Sequence, residues 1–216
     1  IKRVQVALEA SRLDALLCIF PSNILLLSGY WPVVGTSVGI VGRDGQVAVL
    51  VPTDEEELAR DGWADGVNTY NPGSLDNLQG PAQSIVQPLA EVIDQLGLGR
   101  AVVGLESRAP YEGSSYSATY RFESQVERIV REAAPLAHVV SAQACIDQLR
   151  YRLTEFEIGR VRLACRLGEE AFEVGRSTIG GSIREPTIAT AVSSAVERVG
   201  LATEGVRRAG AFAWCM

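Results

Sequence analysis

Histidine is almost missing from this chain: among 216 residues there is one, His138. A single imidazole cannot build a histidine-rich metal centre, and its setting, Leu136-Ala137-His138-Val139-Val140, predicts a core or strand-edge role. Cysteine is sparse and scattered. Cys18, Cys145, Cys165 and Cys215 form no C-x-x-C pair and lie in apolar surroundings, which excludes a zinc ribbon or a disulfide scaffold and predicts buried, reduced thiols. No basic excess exists: 20 Lys and Arg stand against 26 Asp and Glu, for a net charge of -6. Phosphate neutralisation needs clustered cations, so a general nucleic-acid partner is excluded. Long apolar runs are absent too. Ala15 to Phe20 and Ile24 to Leu27 are broken by Pro21-Ser22-Asn23 and fall far short of the roughly 18 residues of a spanning helix, so no membrane partner is expected. Ile1 is not followed by a charged and then an apolar leader region, so we expect no signal peptide, a cytoplasmic location and trimming before residue 1.

What is present suffices for a sizeable core, since 47% of the residues are hydrophobic and 21% charged. Lys2 to Ser11 reads as a helix and Leu13 to Phe20 as a buried strand, after which Pro21-Ser22-Asn23 predicts a turn. Ser37 to Val41 and Gln46 to Val51 flank Arg43-Asp44-Gly45, and Asp-Gly between two apolar runs predicts an antiparallel hairpin. Thr53 and Glu56 are spaced as a capping box, so the acidic run Asp54 to Glu57 is read as complementing a helix dipole. Val67 to Tyr70, Ala101 to Leu105 and Leu136 to Val140 predict further strands, and Ala82 to Leu96 and Ser124 to Ala134 predict helices. Asn71 to Pro81 is a surface loop by composition. Strands alternating with helices specify an α/β domain with a mixed sheet flanked by helices.

Near residue 150 the texture changes to helices, and a domain boundary is placed between 149 and 150. Thr154 and Glu157 make a second capping box. Ile158, Val161, Cys165, Gly168 and Phe172 share one face, predicted to be the packing face. Gly175 to Ser182 contains no phosphate-loop pattern and reads as a turn; Pro186, the apolar set Ile188, Val192, Ala195 and Val199, and Gly200 mark another helix. Gly210 to Met216 is an apolar, strand-like run, so the second domain is expected to stop where its sheet begins.

Two stretches carry a family resemblance. Arg12-Leu13-Asp14-Ala15-Leu16-Leu17 and Pro21-Ser22-Asn23-Ile24-Leu25-Leu26-Leu27-Ser28-Gly29-Tyr30 resemble the front motifs of the creatinase, aminopeptidase P and prolidase family. Leu26 stands where that family usually has Tyr. Arg150, Thr154, Glu155, Glu157 and Ile158, followed by Val161-Arg162-Leu163-Ala164, resemble its entry into the catalytic domain, with Arg152 near a usual Lys.

The resemblance implies a creatinase-type N-terminal α/β domain over residues 1–149. Residues 150–216 would then be the opening helices and first strand of an incomplete α+β pita-bread catalytic domain. It implies a parent that is a metallopeptidase-like hydrolase of Xaa-Pro type acting on a small peptide, with a homodimer as its assembly. Relatives that hydrolyse C–N bonds of small nitrogenous solutes, and metal-free relatives that bind proteins, are the alternative readings. The family's two divalent metal ions (Mn, Co or Zn) are held by two Asp, one His and two Glu beyond the matched region. This chain is therefore expected to hold no metal or catalytic residue and to be inactive without the missing catalytic domain. In the family, the segment after the Ser28-Gly29 motif walls the partner subunit's cleft, which implies Tyr30 and Trp31 as substrate-contacting residues. No Arg lies between Tyr30 and Ile40, where creatinase uses one for its charged substrate.

Overall fold

The computed structural model describes residues 1–33, 35–107 and 123–211. The chain divides into two compact units, Ile1–Arg152 and Leu153–Met216. The first contains α1 (Lys2–Ala10), β1 (Ala15–Cys18), α2 (Pro21–Ser28), β2 (Val38–Gly42), β3 (Val47–Pro52), a 3-10 turn (Thr53–Glu55), α3 (Glu56–Arg60) and β4 (Gly66–Tyr70). It continues with α4 (Pro81–Gln95), β5 (Val102–Leu105), α5 (Glu123–Ala133), β6 (His138–Ser141) and α6 (Gln143–Tyr151).

The six strands form one mixed sheet in the order β4-β3-β2-β1-β5-β6. β2 runs antiparallel to both β1 and β3, while the β1–β5, β5–β6 and β3–β4 pairs are parallel. The central strands are apolar at every position because both of their faces are covered. Alternate residues point to opposite faces. Leu17, Ile40 and Leu50 pack with Ile85 and Leu89 of α4 and Ile129 of α5, while Leu16, Val41 and Val47 pack with Leu8 of α1 and Ile146 of α6. A smaller cluster joins Ile24 of α2, Tyr30, Val49, Val51 and Ala59. The β2–β3 turn forms as expected: Gly45 takes φ +90°, and Asp44 Oδ1 accepts from the Gln46 amide at 3.0 Å.

Two expectations for this unit are corrected and one helix is added. Pro21-Ser22-Asn23 opens α2 instead of making a turn, since proline at the first helical position lacks only an N–H that would have no helical partner. Thr53 forms no capping box; its hydroxyl instead donates to Asn71 Oδ1 at 3.4 Å, and Glu55 turns inward. Helix α6 was not anticipated, although Cys145, Ile146 and Leu149 are spaced as its buried face. At the turn from β1 into α2, Glu106, just beyond β5, accepts from the Ile19 and Phe20 amides, the latter at 2.6 Å, and from Asn23 Nδ2 at 2.7 Å.

The second unit contains α7 (Glu155–Thr178) and α8 (Glu185–Leu201). The Thr154–Glu157 capping box forms in both directions: Thr154 Oγ1 accepts from the Glu157 amide at 3.2 Å, and Glu157 Oε2 accepts from the Thr154 amide at 2.6 Å. The packing face of α7 differs from the expected one. Val161 and Phe172 are exposed, and Leu167, Ala171 and Gly175 are buried, because small residues let α7 approach Ala195 and Val196 of α8. Gly175 is accordingly inside the helix, and the chain leaves it only after Thr178. Cys18 and Cys145 are buried as expected, but Cys165 is exposed. His138 lies exposed on the edge strand β6. Cys215 and all but the first residue of the Ala211–Met216 run lie outside the described residues. No helix among the described residues is long and apolar enough to cross a membrane.

Among the described residues the first unit owns three buried clusters and the second a cluster of three buried residues. Expressed alone, residues 1–152 are therefore expected to unfold in one cooperative urea transition. Residues 153–216 alone should show no cooperative transition followed by circular dichroism.

Candidate functional site

Helix α2 ends at Gly29, which takes φ +73°; a Cβ there would lie 2.3 Å from the indole ring of Trp63, so only glycine allows both the turn and the packing. The indole N–H of Trp63 donates to the Leu27 carbonyl at 2.8 Å and fixes the helix end from outside. The chain then runs through Tyr30-Trp31-Pro32-Val33 and on from Gly35 into β2.

One carboxyl group organises this segment. Glu55 is 4% exposed. Its Oε2 accepts from the Tyr30 hydroxyl at 2.6 Å and the Val33 amide at 2.8 Å, and its Oε1 accepts from the Gly35 amide at 2.9 Å. With the Tyr30 proton committed to Glu55, Ser37 Oγ donates to the phenol oxygen at 3.1 Å. Tyr70 adds a further tie, donating its hydroxyl to the Thr36 carbonyl at 2.6 Å. Burial, and then the Glu55 carboxyl, push the Tyr30 hydroxyl well above its ordinary range, so it remains a neutral donor. Burial does the same for Tyr70.

The alternation of the segment follows from these ties. Tyr30 and Pro32 face inward, while Trp31 and Val33 are 36% and 39% exposed. Of the two aromatic residues marked in the sequence, Tyr30 is thus an internal anchor, and Trp31 is the one presented to solvent. Val34 lies outside the described residues. Sequence reasoning missed Glu55 because it sits in an acidic run that also suits a helix start. The signal that could have found it is an acid directly after the apolar strand β3, with Tyr30 and two backbone amides to satisfy.

A cavity of about 190 Å³ lies elsewhere, at the carboxyl ends of β5 and β6, walled by Glu106, Ser107, Val126, Glu127 and Ser141 among others. Ser107 and Ser141 are hydrogen-bonded to each other at 2.9 Å there, and Glu106 is engaged with α2. Among the described residues no three His, Cys, Asp or Glu side chains converge to hold a metal ion.

Residues 1–152 match the family described as the Creatinase/Prolidase N-terminal domain. No curated protein sequence matches the chain. Among solved structures, the prolidase from Pyrococcus furiosus shares 20% identity at a TM-score of 0.63, over 92% of this chain and 52% of that one. The X-Pro aminopeptidase from Thermotoga maritima shares 16% identity at 0.63, over 90% and 49%. A proline dipeptidase from Streptococcus pneumoniae shares 18% at 0.51, over 70% of this chain and 97% of that one. The chain spans about half the length of the first two.

Removing the anchor should release the segment. Glu55→Ala is expected to cost about 2–4 kcal/mol in urea unfolding, since it leaves buried donors unpaired, and Tyr30→Phe about 1–2 kcal/mol. A cost below about 0.5 kcal/mol for Glu55→Ala would show that Glu55 does not hold the loop.

Proposed function

Because the chain belongs to the Creatinase/Prolidase N-terminal domain family, we propose that it is the N-terminal part of a metal-dependent hydrolase of Xaa-Pro peptidase type. Its role is architectural. It supports a homodimer and supplies a wall of the substrate cleft, and Trp31 is the residue that meets the substrate. The observation that carries the reading is the Glu55-anchored segment, which fixes one indole at the surface without using it in the core. An indole so held offers apolar area at little further entropic cost, which suits the ring of a proline residue.

The described residues do not fit a dinuclear metal centre, so no catalytic step is assigned to them. The two divalent ions, Mn, Co or Zn, belong with ligands outside this chain, where they would activate water and polarise the scissile carbonyl.

The test begins with the 216-residue chain, which is expected to bind no stoichiometric Mn, Co or Zn and to leave Xaa-Pro dipeptides intact. Turnover above background by this chain overturns the assignment. The full reading frame of its gene, expressed with Mn, is expected to cleave Xaa-Pro dipeptides. Trp31→Ala in that protein should raise KM about tenfold, in line with the loss of one aromatic contact. A frame that cleaves only non-peptide C–N bonds, or that lacks the ligand set altogether, contradicts the peptidase reading.

A further inference from the structure

We propose that the exposed apolar face of α7, formed by Val161, Ala164, Cys165, Gly168 and Phe172, is the seat on which the polypeptide beyond residue 216 packs. The proposal rests on the reading of this chain as the N-terminal part of a longer protein.

Helical geometry sets the face. Val161, Ala164, Cys165, Gly168 and Phe172 recur at intervals of three and four residues, so they lie on one side of α7. Phe172 is 77% and Val161 51% exposed, and Ala164 and Cys165 are exposed with them. A contiguous apolar stripe that includes a bare phenylalanine marks an interaction surface. Helix α8 covers the adjoining side of α7, at Ala171 and Gly175, and leaves this one open.

The covered side shows how α7 receives a neighbour. Ala171 and Gly175, four residues apart, let α8 come so close that a Cβ at Gly175 would lie 2.7 Å from Val192 Cγ2. Ala164 and Gly168 have the same spacing on the open side, where a Cβ at Gly168 would meet no atom of the described residues within 4 Å. Glycine inside a helix is destabilising relative to alanine. Close approach of a further element across Ala164 and Gly168, with Val161 and Phe172 on either side of it, offsets that cost.

Three observations identify the occupant. Among the described residues the unit Leu153–Met216 buries an apolar cluster of Ala171, Ala195 and Val196, too small a core to stand without further packing. The solved prolidase and X-Pro aminopeptidase extend about as far again outside the part that matches this chain. The charged residues beside the face are of both signs, Arg162 and Arg166 with Glu169 and Glu173, which suits a protein neighbour and not an anionic surface. A continuation of the same chain also reaches the face at a far higher effective concentration than a second copy does.

Cys165 reports on the face directly, since its thiol is exposed there while Cys18 and Cys145 are buried. Pulses of N-ethylmaleimide, read by peptide mass mapping, compare the 216-residue chain with the full reading frame of its gene. In the 216-residue chain Cys165 is expected to react at about the rate of the urea-unfolded chain. In the full protein it should react about a hundredfold more slowly at every protein concentration, and Phe172→Ala should raise that rate about tenfold. Equal rates in the two natural proteins, or no change in Phe172→Ala, overturn the proposal. Should the variant not fold, the two natural proteins decide. Protection within the 216-residue chain overturns it too: protection that grows with concentration gives the face to a second copy, and protection that survives dilution gives it to residues 1–152. Protection of the full protein that fades on dilution likewise gives the face to a second copy. A frame that ends at residue 216 overturns this proposal and the peptidase reading together. Protection without Xaa-Pro cleavage overturns the peptidase reading alone, and cleavage by a full protein whose Cys165 reacts freely overturns the seat alone.

Discussion

Burying the Glu55 carboxyl obliges the chain around it to deliver donors, and the shape of the whole exposed segment follows. A carboxyl taken out of water is tolerated only where hydrogen bonds replace the hydration it loses. Tyr30, Val33 and Gly35 supply them, and with Tyr30 and Pro32 facing inward, Trp31 and Val33 are the side chains left outside. The strand β3 and the 3-10 turn that carry Glu55 are held in turn by the sheet, with β3 buried along its length. Rigidity at the surface is thereby inherited from the core. Presentation of one indole is a consequence of satisfying one acid.

A second acid plays a matching part at the other end of α2. Glu106 meets the helix start and Glu55 the segment after its end, so an eight-residue helix without a charge of its own is positioned from both sides by carboxyl groups that follow β5 and β3. The two differ in what surrounds them. Glu55 receives a phenol proton and two backbone amides. Glu106 receives two backbone amides and the side-chain amide of Asn23.

Much of the sheet was legible in the sequence because its cause is local. Val47 to Val51 could be read as a buried strand because both faces of β3 are covered, and Asp44-Gly45 marked the hairpin through its positive φ. The Thr154 capping box was equally local, and it forms as written. What failed was long-range. Pro21-Ser22-Asn23 reads as a turn until the sheet provides a surface for Ile24 and Leu27 of the helix it opens. The face of α7 is decided by its crossing with α8, where Ala171 and Gly175 beat the larger Val161 and Phe172. Nor could Glu55 be told from the acids beside it, since its role depends on amides 20 and 22 residues away in sequence. Tyr30 and Trp31 stand out together in the sequence, but Tyr30 is buried and Trp31 faces solvent.

Presentation of the Trp31 indole depends on Glu55 holding the segment rigidly. Backbone ¹⁵N relaxation of Val33 and Gly35 measures this directly. Order parameters of about 0.85, equal to those of β3, are the result it predicts, and values under about 0.6 would contradict it.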